Sequence, residues 1–437
     1  MTRHIIALWI IPFVICLLAT IAPAAEDLPP VEALTTGPKY HWFGYYDKLQ
    51  FDPTDRYVLG MEVDFEHRSP TKDDVIKIGM IDRKNNNRWI ELGESRAWGW
   101  QQGCMLQWIP GSDSKVIWND RRGDDFISII KDIKTGEERI ISRAIYALSL
   151  DGKYAIGTDF ARIQNYRKGY GYPGGEDLYK EQNAPEKSGI YKINLATGKS
   201  KLILSYKEIS RIPNAGDDIS EKWHYFNHLL VSPDSKRFIF LNRWWEAPIP
   251  DDVLANPKEY NKIRTKYTTR MFTAGMDGND VYLLDPSGNT SHFIWKGPQH
   301  ITAWTRPIGK EKSFWEFRDR TTELRQVGKG IMTRNGHNTF LPKTNNEWIL
   351  NDTSPQGKNR EQVPYLFHES TGKKIELGRF HAPKEYNGEW RCDTHPRTNN
   401  DGRLICIDST HGGNGRQLYI IDISKIIETD KEKSKIP

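Results

Sequence analysis

The sequence predicts an all-β fold, a seven-bladed β-propeller of four-stranded blades. Three observations lead to it: a hairpin pattern that recurs along the chain, a second hairpin that follows each copy, and no amphipathic helix of useful length between them. The first hairpin is a short strand, a turn rich in Pro, Asp, Gly and Ser, and an alternating apolar strand, as in HLLVSPDSKRFIFLNR from His228. The second is similar, as in GIYKINLATGKSKLIL. Two hairpins make one blade, and seven such units are present.

The first hairpins place the first strand of each blade. We expect these strands to begin near Tyr46, Gly103, Tyr146, His228, His300, His337 and His395. The unit that begins at His300 is the weakest match to the pattern. Residues 31–36 form a further short strand pattern, and we expect them to complete the last blade and close the ring.

The N-terminus has the pattern of a secretory signal peptide. Arg3 precedes an apolar run over residues 5–21, and small residues follow it at a suitable cleavage position. An uncleaved anchor is the alternative, because the run is long for a signal peptide. We predict a secreted or periplasmic protein. The expected segments are a signal peptide at 1–24, a propeller at 25–430 and a polar tail at 431–437.

Composition and charge exclude several classes of function. The 437 residues include 15 Trp and carry a net charge of +5, with acidic and basic residues mixed along the chain. The aromatic content indicates a folded body, and the lack of a basic stripe argues against nucleic-acid binding. No segment after the signal peptide could span a membrane, and we expect a monomer or weak oligomer. The remaining cysteines, Cys104, Cys392 and Cys406, allow at most one disulfide and form no metal cluster.

Histidines recur at one position of the repeat. A histidine stands six residues before the turn in three blades, at His228, His337 and His395. Two other blades have Lys48 and Ile145 at this position. Because the first strand of a propeller blade lines the central channel, these histidines should ring one mouth of the channel, with His300 beside them.

Long loops are expected over the same mouth. Residues 64–74, 160–187 and 243–278 follow second strands, and function usually lies on such loops above a rigid scaffold. Aromatic faces can stack on sugar rings, and guanidinium groups can pair with carboxylate or sulfate. The candidate substrate-binding residues in or near these loops are Trp98, Trp100, Arg243, Trp244, Arg334 and Arg391.

Converging imidazoles have two chemical uses. They can bind Mn, Fe, Ni or Zn, with Asp393 or Gln299 as an oxygen ligand. Alternatively, one of them can act as a general base, because the unperturbed pKa of histidine, about 6.5, suits proton transfer near neutral pH.

The histidine-containing segments HLLVSPD, QHITAW, GHNTFL and THPRTNNDG, with the seven units and the signal peptide, resemble the oligogalacturonate lyase family. The turns also resemble those of TolB-like and WD-type blades. That family consists of seven-bladed propellers that hold a metal, often manganese, through several histidines. A further histidine is the proposed base, and an arginine assists it.

The resemblance implies roles for particular residues. His300 corresponds by chain order to the base, and His337 and His395 correspond to metal ligands. Asp393 stands where the family has a paired histidine and glutamine. Arg270 is the candidate for the assisting arginine and His228 for a second base. The expected cofactor is a divalent metal, manganese first, with calcium or zinc as alternatives.

The implied activity is β-elimination on a uronate-containing glycan. Metal or arginine would neutralise the uronate carboxylate, a histidine would remove the C5 proton, and Tyr46, Tyr45 or water would protonate the leaving oxygen. The expected partner is therefore an acidic oligo- or polysaccharide.

Two other functions stay open. A non-catalytic TolB-like propeller that binds a glycan or a protein needs no ring of histidines. A glycoside hydrolase needs two carboxylates about 5–10 Å apart. The candidates for that pair are Asp159, Glu246, Glu389 and Asp393.

Overall fold

The computed structural model describes residues 28–433 and contains seven antiparallel four-stranded sheets arranged as a β-propeller. The predicted fold class is confirmed. The predicted signal peptide at 1–24 and the last four residues of the predicted tail lie outside the described residues. Within residues 28–433, no helix is both long enough and apolar enough to cross a membrane.

The first four blades follow one another along the chain, each with its strands in sequence order from the channel outwards. Blade 1 contains β2 (Tyr40–Trp42), β3 (Tyr57–Val63), β4 (Ile76–Asp82) and β5 (Arg88–Ser95). Blade 2 contains β6 (Gln107–Trp108), β7 (Lys115–Arg122), β8 (Asp125–Asp132) and β9 (Glu138–Ile141). Blade 3 contains β10 (Ala147–Leu148), β11 (Tyr154–Gly157), β12 (Gly189–Asn194) and β13 (Ser200–Ser205). Blade 4 contains β14 (Trp223–Val231), β15 (Arg237–Trp245), β16 (Thr268–Gly275) and β17 (Tyr282–Gly288).

The last three blades complete the ring. Blade 5 contains β18 (Phe293–Gly297), β19 (His300–Thr305), β20 (Ser313–Arg318) and β21 (Leu324–Val327). Blade 6 contains β22 (Thr339–Phe340), β23 (Trp348–Asn351), β25 (Tyr365–His368) and β26 (Lys374–Glu376), with β24 (Glu361–Gln362) and β27 (Phe380–His381) paired beside it. Blade 7 contains β28 (Arg397–Thr398), β29 (Leu404–Ser409), β30 (Gln417–Asp422) and β1 (Val31–Ala33).

Helical segments are short and lie between strands or at the C-terminal end. They are α1 (Phe160–Tyr166), α2 (Tyr206–Ser210), α3 (Asp251–Ala255), α4 (Pro257–Ile263), a 3₁₀ turn at Gly388–Trp390 and α5 (Ser424–Lys433). Asp159 caps α1 by accepting from the Arg162 backbone N–H, and Asn256 caps α4 in the same way. The loops 160–187 and 243–278 therefore contain ordered helices.

Ring closure joins the two ends of the propeller. Strand β1 pairs antiparallel with β30, with Val31 opposite Ile421, and so forms the outer strand of blade 7. The expectation that residues 31–36 complete the last blade is confirmed for Val31–Ala33. Closure by an N-terminal strand leaves no gap between the first and last blades.

Blade 5 begins one strand earlier than the sequence pattern predicted. His300 is the first residue of the second strand, β19, whereas the inner strand β18 begins at Phe293. The difference arises in blade 4, where the segment 243–278, predicted as an insertion, contains two short helices and then strand β16. In the observed register, Leu230 pairs with Ile239 in blade 4, and Ile294 pairs with Thr302 in blade 5. His228 and His292 each lie two residues before the inner-strand member of these pairs. His292 is therefore the residue of blade 5 that matches His228.

Local backbone geometry aims two of the repeated histidines at the channel. His228 lies in a β-bulge between Asn227 and Leu230, and its φ is 50°. His395 has a φ of 38° and lies two residues before β28. Left-handed φ values are uncommon for bulky residues and occur where surrounding contacts fix them, often at functional sites. In blades 4 and 7, the repeated histidine position therefore coincides with a backbone turn that redirects the side chain.

The inner strand of blade 1 is interrupted by a loop that enters the channel. Trp42 pairs with Met61 and Phe51 with Val58, and residues 43–48, named the plug loop below, leave the sheet between them. Gly44 has a φ of +97°, and a Cβ there would lie 2.9 Å from the Gln102 carbonyl carbon. Only glycine fits this bend, which is followed by Tyr45 and Tyr46 in the channel.

A buried ion pair fixes the plug loop to blade 7. Asp408 accepts hydrogen bonds from the backbone N–H groups of Phe43 and Gly44 at 3.3 and 3.1 Å. Arg397 donates to Asp408 at 2.8 Å and to the carbonyl of His395 at 2.5 Å. One pair of charges therefore positions both the plug loop and His395.

We predict that Asp408→Ala destabilises the protein by about 3–5 kcal/mol, because it leaves the buried Arg397 charge unpaired. Urea unfolding followed by tryptophan fluorescence measures this difference. Asp73→Ala is the matched control, since Asp73 is exposed, and its effect should stay within about 0.5 kcal/mol. Equal effects of the two substitutions would contradict the role given to the ion pair.

Candidate functional site

Four histidines meet around Tyr45 in the channel, and they are named the histidine cluster below: His228, His292, His337 and His395. The ring centre of Tyr45 lies 4.9 Å from His228, 5.3 Å from His395, 6.0 Å from His337 and 6.5 Å from His292. The His337 ring lies 4.2 Å from both His292 and His395. The structure thus brings three of the predicted histidines together and adds His292.

His300 does not belong to this cluster. It pairs with Gly297, at the end of β18 opposite to His292. The prediction that His300 lies at the same mouth as the other histidines is therefore wrong, because β18 separates the two positions along the channel. Gln299, considered as an oxygen ligand, is next to it and is exposed.

Three side chains of the site could hold a metal ion. Ligand atoms of His337, Asp393 and His395 all lie within 4.8 Å of one another. The Nε2 atom of His395 is buried and has no hydrogen-bond partner among the described residues. A buried nitrogen without a partner is costly unless it meets a ligand, so this donor set fits a divalent cation.

Asp352 orients the central histidine of this set. It lies 3.0 Å from His337 Nδ1 and also accepts from the Thr394 hydroxyl at 2.5 Å. With Nδ1 donating to the carboxylate, Nε2 of His337 carries the lone pair that a metal needs. Carboxylates in this outer position orient metal-binding histidines in many proteins. The sequence reasoning missed Asp352, which follows the short strand β23 and lies opposite His337 in the strand register as Asp408 lies opposite His395 in blade 7.

Burial keeps most of the cluster uncharged. Burial holds the pKa of His228, His292 and His395 well below the usual histidine value, and neighbouring histidines lower it further. Burial also lowers the pKa of His337, but the Asp352 carboxylate more than offsets this and raises it. The first three imidazoles are therefore neutral at pH 7, the form that binds metals and accepts protons.

His292 has the geometry of a proton acceptor. Its Nδ1 lies 3.0 Å from Asn335 Oδ1, and the Asn335 amide nitrogen donates to the Ser291 hydroxyl. The amide oxygen thus faces the ring, so Nδ1 carries the hydrogen and Nε2 carries the lone pair. His292 is half-buried, whereas the other three members of the cluster are buried. Assignment of residues 293–297 as the inner strand of blade 5 would have identified His292 from the sequence.

His228 and Tyr46 are held by packing. The His228 ring stacks on Phe293 at 3.9 Å. The Tyr46 hydroxyl donates to the Phe293 carbonyl at 2.7 Å and accepts from its N–H at 3.1 Å. Tyr45, by contrast, has no hydrogen-bond partner for its hydroxyl within residues 28–433. Of the two predicted proton donors, Tyr45 is therefore the one whose hydroxyl is available.

Two of the predicted arginines lie at the cluster. Arg391 donates to Asp393 at 2.6 Å and to the Tyr170 hydroxyl at 2.8 Å. Burial raises the pKa of Tyr170, but the charges of Arg391 and Arg167 outweigh burial and lower it to about 7. Arg243 is buried and donates to the Thr269 hydroxyl at 3.0 Å, and its charge contributes to the low pKa of His228.

Arg270 and Arg334 have other surroundings. Arg270 is fully buried and donates to the backbone carbonyls of Ile209, Ile212 and Pro213 and to Asn242. Its predicted catalytic role is wrong, because these acceptors occupy its donors and it anchors the loop after α2. Arg334 is exposed and lines a separate surface depression with Glu361 and Arg379.

The predicted sugar-binding tryptophans are part of the core. Trp98 and Trp100 are fully buried against Trp42, with ring centres 5.6 and 5.4 Å from it. Their indole N–H groups donate to backbone carbonyls of residues 74 and 68. Trp244 is also buried, beneath Arg270. Stacking on a sugar is therefore wrong for all three, because their faces are already covered.

Two carboxylates considered for a hydrolase have structural partners. Asp159 caps α1 and accepts from the Ser188 hydroxyl at 3.0 Å. Glu246 is exposed and pairs with Lys222.

The three cysteines of the described region are buried and free.

Comparison with solved structures shows which known proteins share this fold. An oligogalacturonate lyase in complex with manganese superposes with a TM-score of 0.61 and 14% identity over 92% of this chain and 94% of that one. The fold is that of oligogalacturonate lyases. The resemblance seen in the sequence is confirmed at this level.

Two further structures belong to the same comparison. An oligogalacturonate lyase from Vibrio parahaemolyticus gives a TM-score of 0.59 with 14% identity over 90% of this chain and 93% of that one. TolB from Acinetobacter baumannii gives 0.39 with 13% identity over 71% and 61%. No protein-family model matches the sequence, and no curated protein matches it.

We predict that the purified protein binds Mn²⁺ and that His395→Ala loses this binding. Removal of a direct ligand should cost more than the about 10–100-fold typical of changes to outer-shell partners. Isothermal titration with MnCl₂ measures the affinity. His300→Ala is the control and should bind Mn²⁺ as the unchanged protein does, because it lies at the far end of β18. Unaltered affinity in His395→Ala would exclude this donor set.

Proposed function

We propose that this protein is a lyase that cleaves uronate-containing oligosaccharides by β-elimination. The observation that carries the proposal is the juxtaposition of a neutral, oriented histidine, His292, with a group of metal-ligating atoms and two arginines. Elimination beside a carboxylate requires a base, neutralisation of the carboxylate and a proton donor for the leaving oxygen. The site supplies a candidate for each.

His292 is the base in this proposal. Its Nε2 lone pair accepts the C5 proton of the uronate, while Asn335 holds the ring through Nδ1. The carboxylate of that sugar is received beside Arg391 and Arg243, whose charges favour the electron-rich state that develops as the proton leaves.

His337, Asp393 and His395 would hold the divalent metal, and manganese is the first candidate because imidazole and carboxylate ligands suit it. When bound, the metal supplies positive charge that acidifies the proton next to the carboxylate.

Tyr45 completes the step. Burial and the neighbouring tyrosines raise the pKa of its hydroxyl well above the usual value, so it is protonated at pH 7. As the C4–O bond breaks, Tyr45 donates its proton to the departing sugar oxygen, and a C4=C5 double bond remains on the uronate. Secretion or export to the periplasm, expected from the N-terminal pattern, would bring the protein to such glycans.

We predict that His292→Ala lowers turnover of oligogalacturonate by about 10²–10⁴-fold, the usual cost of removing a general base. Ultraviolet absorbance of the unsaturated product follows the reaction in the presence of Mn²⁺. His300→Ala should retain the unchanged protein's turnover, since it does not reach the cluster. Near-normal turnover in His292→Ala with an inactive His228→Ala would move the base to His228.

The same assay separates the lyase from the alternatives. Binding of an acidic glycan without an unsaturated product, with each of several divalent metals added, would favour a binding propeller. Release of saturated reducing ends would favour a hydrolase.

A further inference from the structure

Three loops around the mouth of the channel meet at the buried side chain of Glu389 and the turn that carries it. Glu389 is 6% exposed and lies in the 3₁₀ turn Gly388–Trp390. The Ser69 hydroxyl donates to its Oε2 atom. A Cβ on Gly169 would lie 3.3 Å from its Cγ atom. The loop that contains Ser69 and the insertion that contains Gly169 therefore both contact this side chain.

The insertion 243–278 reaches the same place from another side. A Cβ on Gly388 would lie 2.6 Å from the Asn261 Oδ1 atom, so α4 packs directly on the 3₁₀ turn. The backbone N–H of Lys168 donates to the Tyr260 hydroxyl at 2.9 Å and so joins the two insertions. Together these contacts make one junction of three loops, which is named the loop junction below.

The loop junction adjoins the histidine cluster. Tyr170 follows Lys168 by two residues, and its ring centre lies 6.5 Å from that of Tyr45. Arg391 follows Glu389 by two residues and donates to the Tyr170 hydroxyl at 2.8 Å. A change in the packing around Glu389 therefore reaches the side chains at the mouth of the channel.

The surroundings of Glu389 favour its uncharged form. Within the described residues, Ser69 supplies the hydrogen bond to its carboxyl group. The ammonium group of Lys168 is the nearby positive charge, but it donates to the Leu254 carbonyl. Burial therefore outweighs the Ser69 hydrogen bond and the Lys168 charge, and it raises the pKa of Glu389 above the usual glutamate value.

The other titratable groups around the junction supply no counter-charge to Glu389. Burial raises the pKa of the Tyr260 hydroxyl to about 12, so this group is uncharged at pH 7. Arg68, beside Ser69 in the chain, pairs with Asp74 at 2.6 Å. Arg391 pairs with Asp393 at 2.6 Å. An ionised Glu389 would be a buried charge with few partners, which is costly.

We propose that Glu389 is a pH-dependent latch for the three loops over the mouth of the channel. As an uncharged acid it holds the loop junction together, and its ionisation loosens the junction so that water reaches the carboxylate. The closed junction binds the proton more tightly than an open one, in which the carboxyl group is hydrated. The closed form is therefore favoured in acid, and this advantage is lost as the pH rises through the pKa of the closed form. The latch controls access to the site and does not depend on which reaction the site performs.

Hydrogen exchange followed by mass spectrometry tests the latch between about pH 5 and about pH 8, the range in which native proteins are usually most stable. The rates are corrected for the intrinsic pH dependence of amide exchange. In the unchanged protein, peptides of the three loops should exchange about 3–10-fold more slowly at the acid end, the net effect of one buried hydrogen bond. Peptides of strand β15 should keep one corrected rate throughout, which separates opening of the loops from unfolding of the blades.

Three variants make the test specific. Glu389→Gln keeps the shape of the uncharged acid and cannot ionise, so its loops should exchange slowly at both ends of the range. Glu385→Gln is the matched control, because Glu385 is exposed in the same segment, and it should behave as the unchanged protein does. Ser69→Ala removes the hydrogen bond to the carboxyl group and should speed exchange of the loops at the acid end. Thermal unfolding of each variant verifies that it folds.

Each outcome decides for or against the latch. Slow exchange of the loops in Glu389→Gln at both ends supports it. A pH dependence that persists in Glu389→Gln, fast exchange of its loops throughout, or no pH dependence in the unchanged protein overturns it. If Glu389→Gln does not fold, Ser69→Ala decides: faster exchange at the acid end alone supports the latch, and any other result overturns it.

Discussion

The site depends on the buried ion pair between Arg397 and Asp408. Both residues belong to blade 7, yet their hydrogen bonds end on the plug loop of blade 1 and on the backbone of His395. Such a pair gains little net stability, because desolvating two charges offsets most of their attraction. Its effect is positional: it holds Tyr45 among the four histidines and sets the left-handed turn of His395. Without this pair, the plug loop and the His395 backbone would lose the hydrogen bonds that hold them to blade 7.

Burial acts in opposite ways on the two halves of the site. The imidazoles of His228, His292 and His395 respond by losing their protons, because a low-dielectric surrounding disfavours the charged form, whereas the Asp352 carboxylate raises the pKa of His337. The guanidinium groups cannot respond in this way, because arginine stays protonated in proteins. The result is a group of mostly uncharged imidazoles beside positively charged arginines. In the proposed function, the arginines would receive the carboxylate of an anionic sugar acid, and the imidazoles would accept its proton and hold the metal.

The sequence predicted the fold and three of the four histidines, because both follow from a repeat. Strand and turn patterns recur in every blade, and a histidine at a fixed place in that repeat must face the channel. His292 was not predicted for a structural reason. The two helices before β16 obscure the strand pattern of blade 4, so the inner strand of blade 5 was assigned to residues from His300 instead of Phe293. The roles of Trp98, Trp100 and Arg270 were not visible in the pattern, because a residue type does not reveal whether its neighbours cover it. Asn335 acts on His292 from a loop outside the repeat, so only the folded chain shows it, whereas Asp352 matches Asp408 of blade 7 in a register that the sequence did not reveal.

Closure of the ring by β1 has a consequence for the order of folding. Strand β1 is the first strand of the described residues and pairs with the last of them, β30, so the contact that closes the propeller joins residues as far apart in sequence as Val31 and Ile421. Contacts of this kind form late in folding, because closing so long a loop has an entropic cost that the chain must overcome before the strand pairing adds stability. The plug loop follows β1 by only a few residues and is held by Asp408 from the same final blade. The histidine cluster therefore assembles in the last step of folding, and chains that stop short of blade 7 would have most of the blades but lack His395 and the ion pair that holds the plug loop.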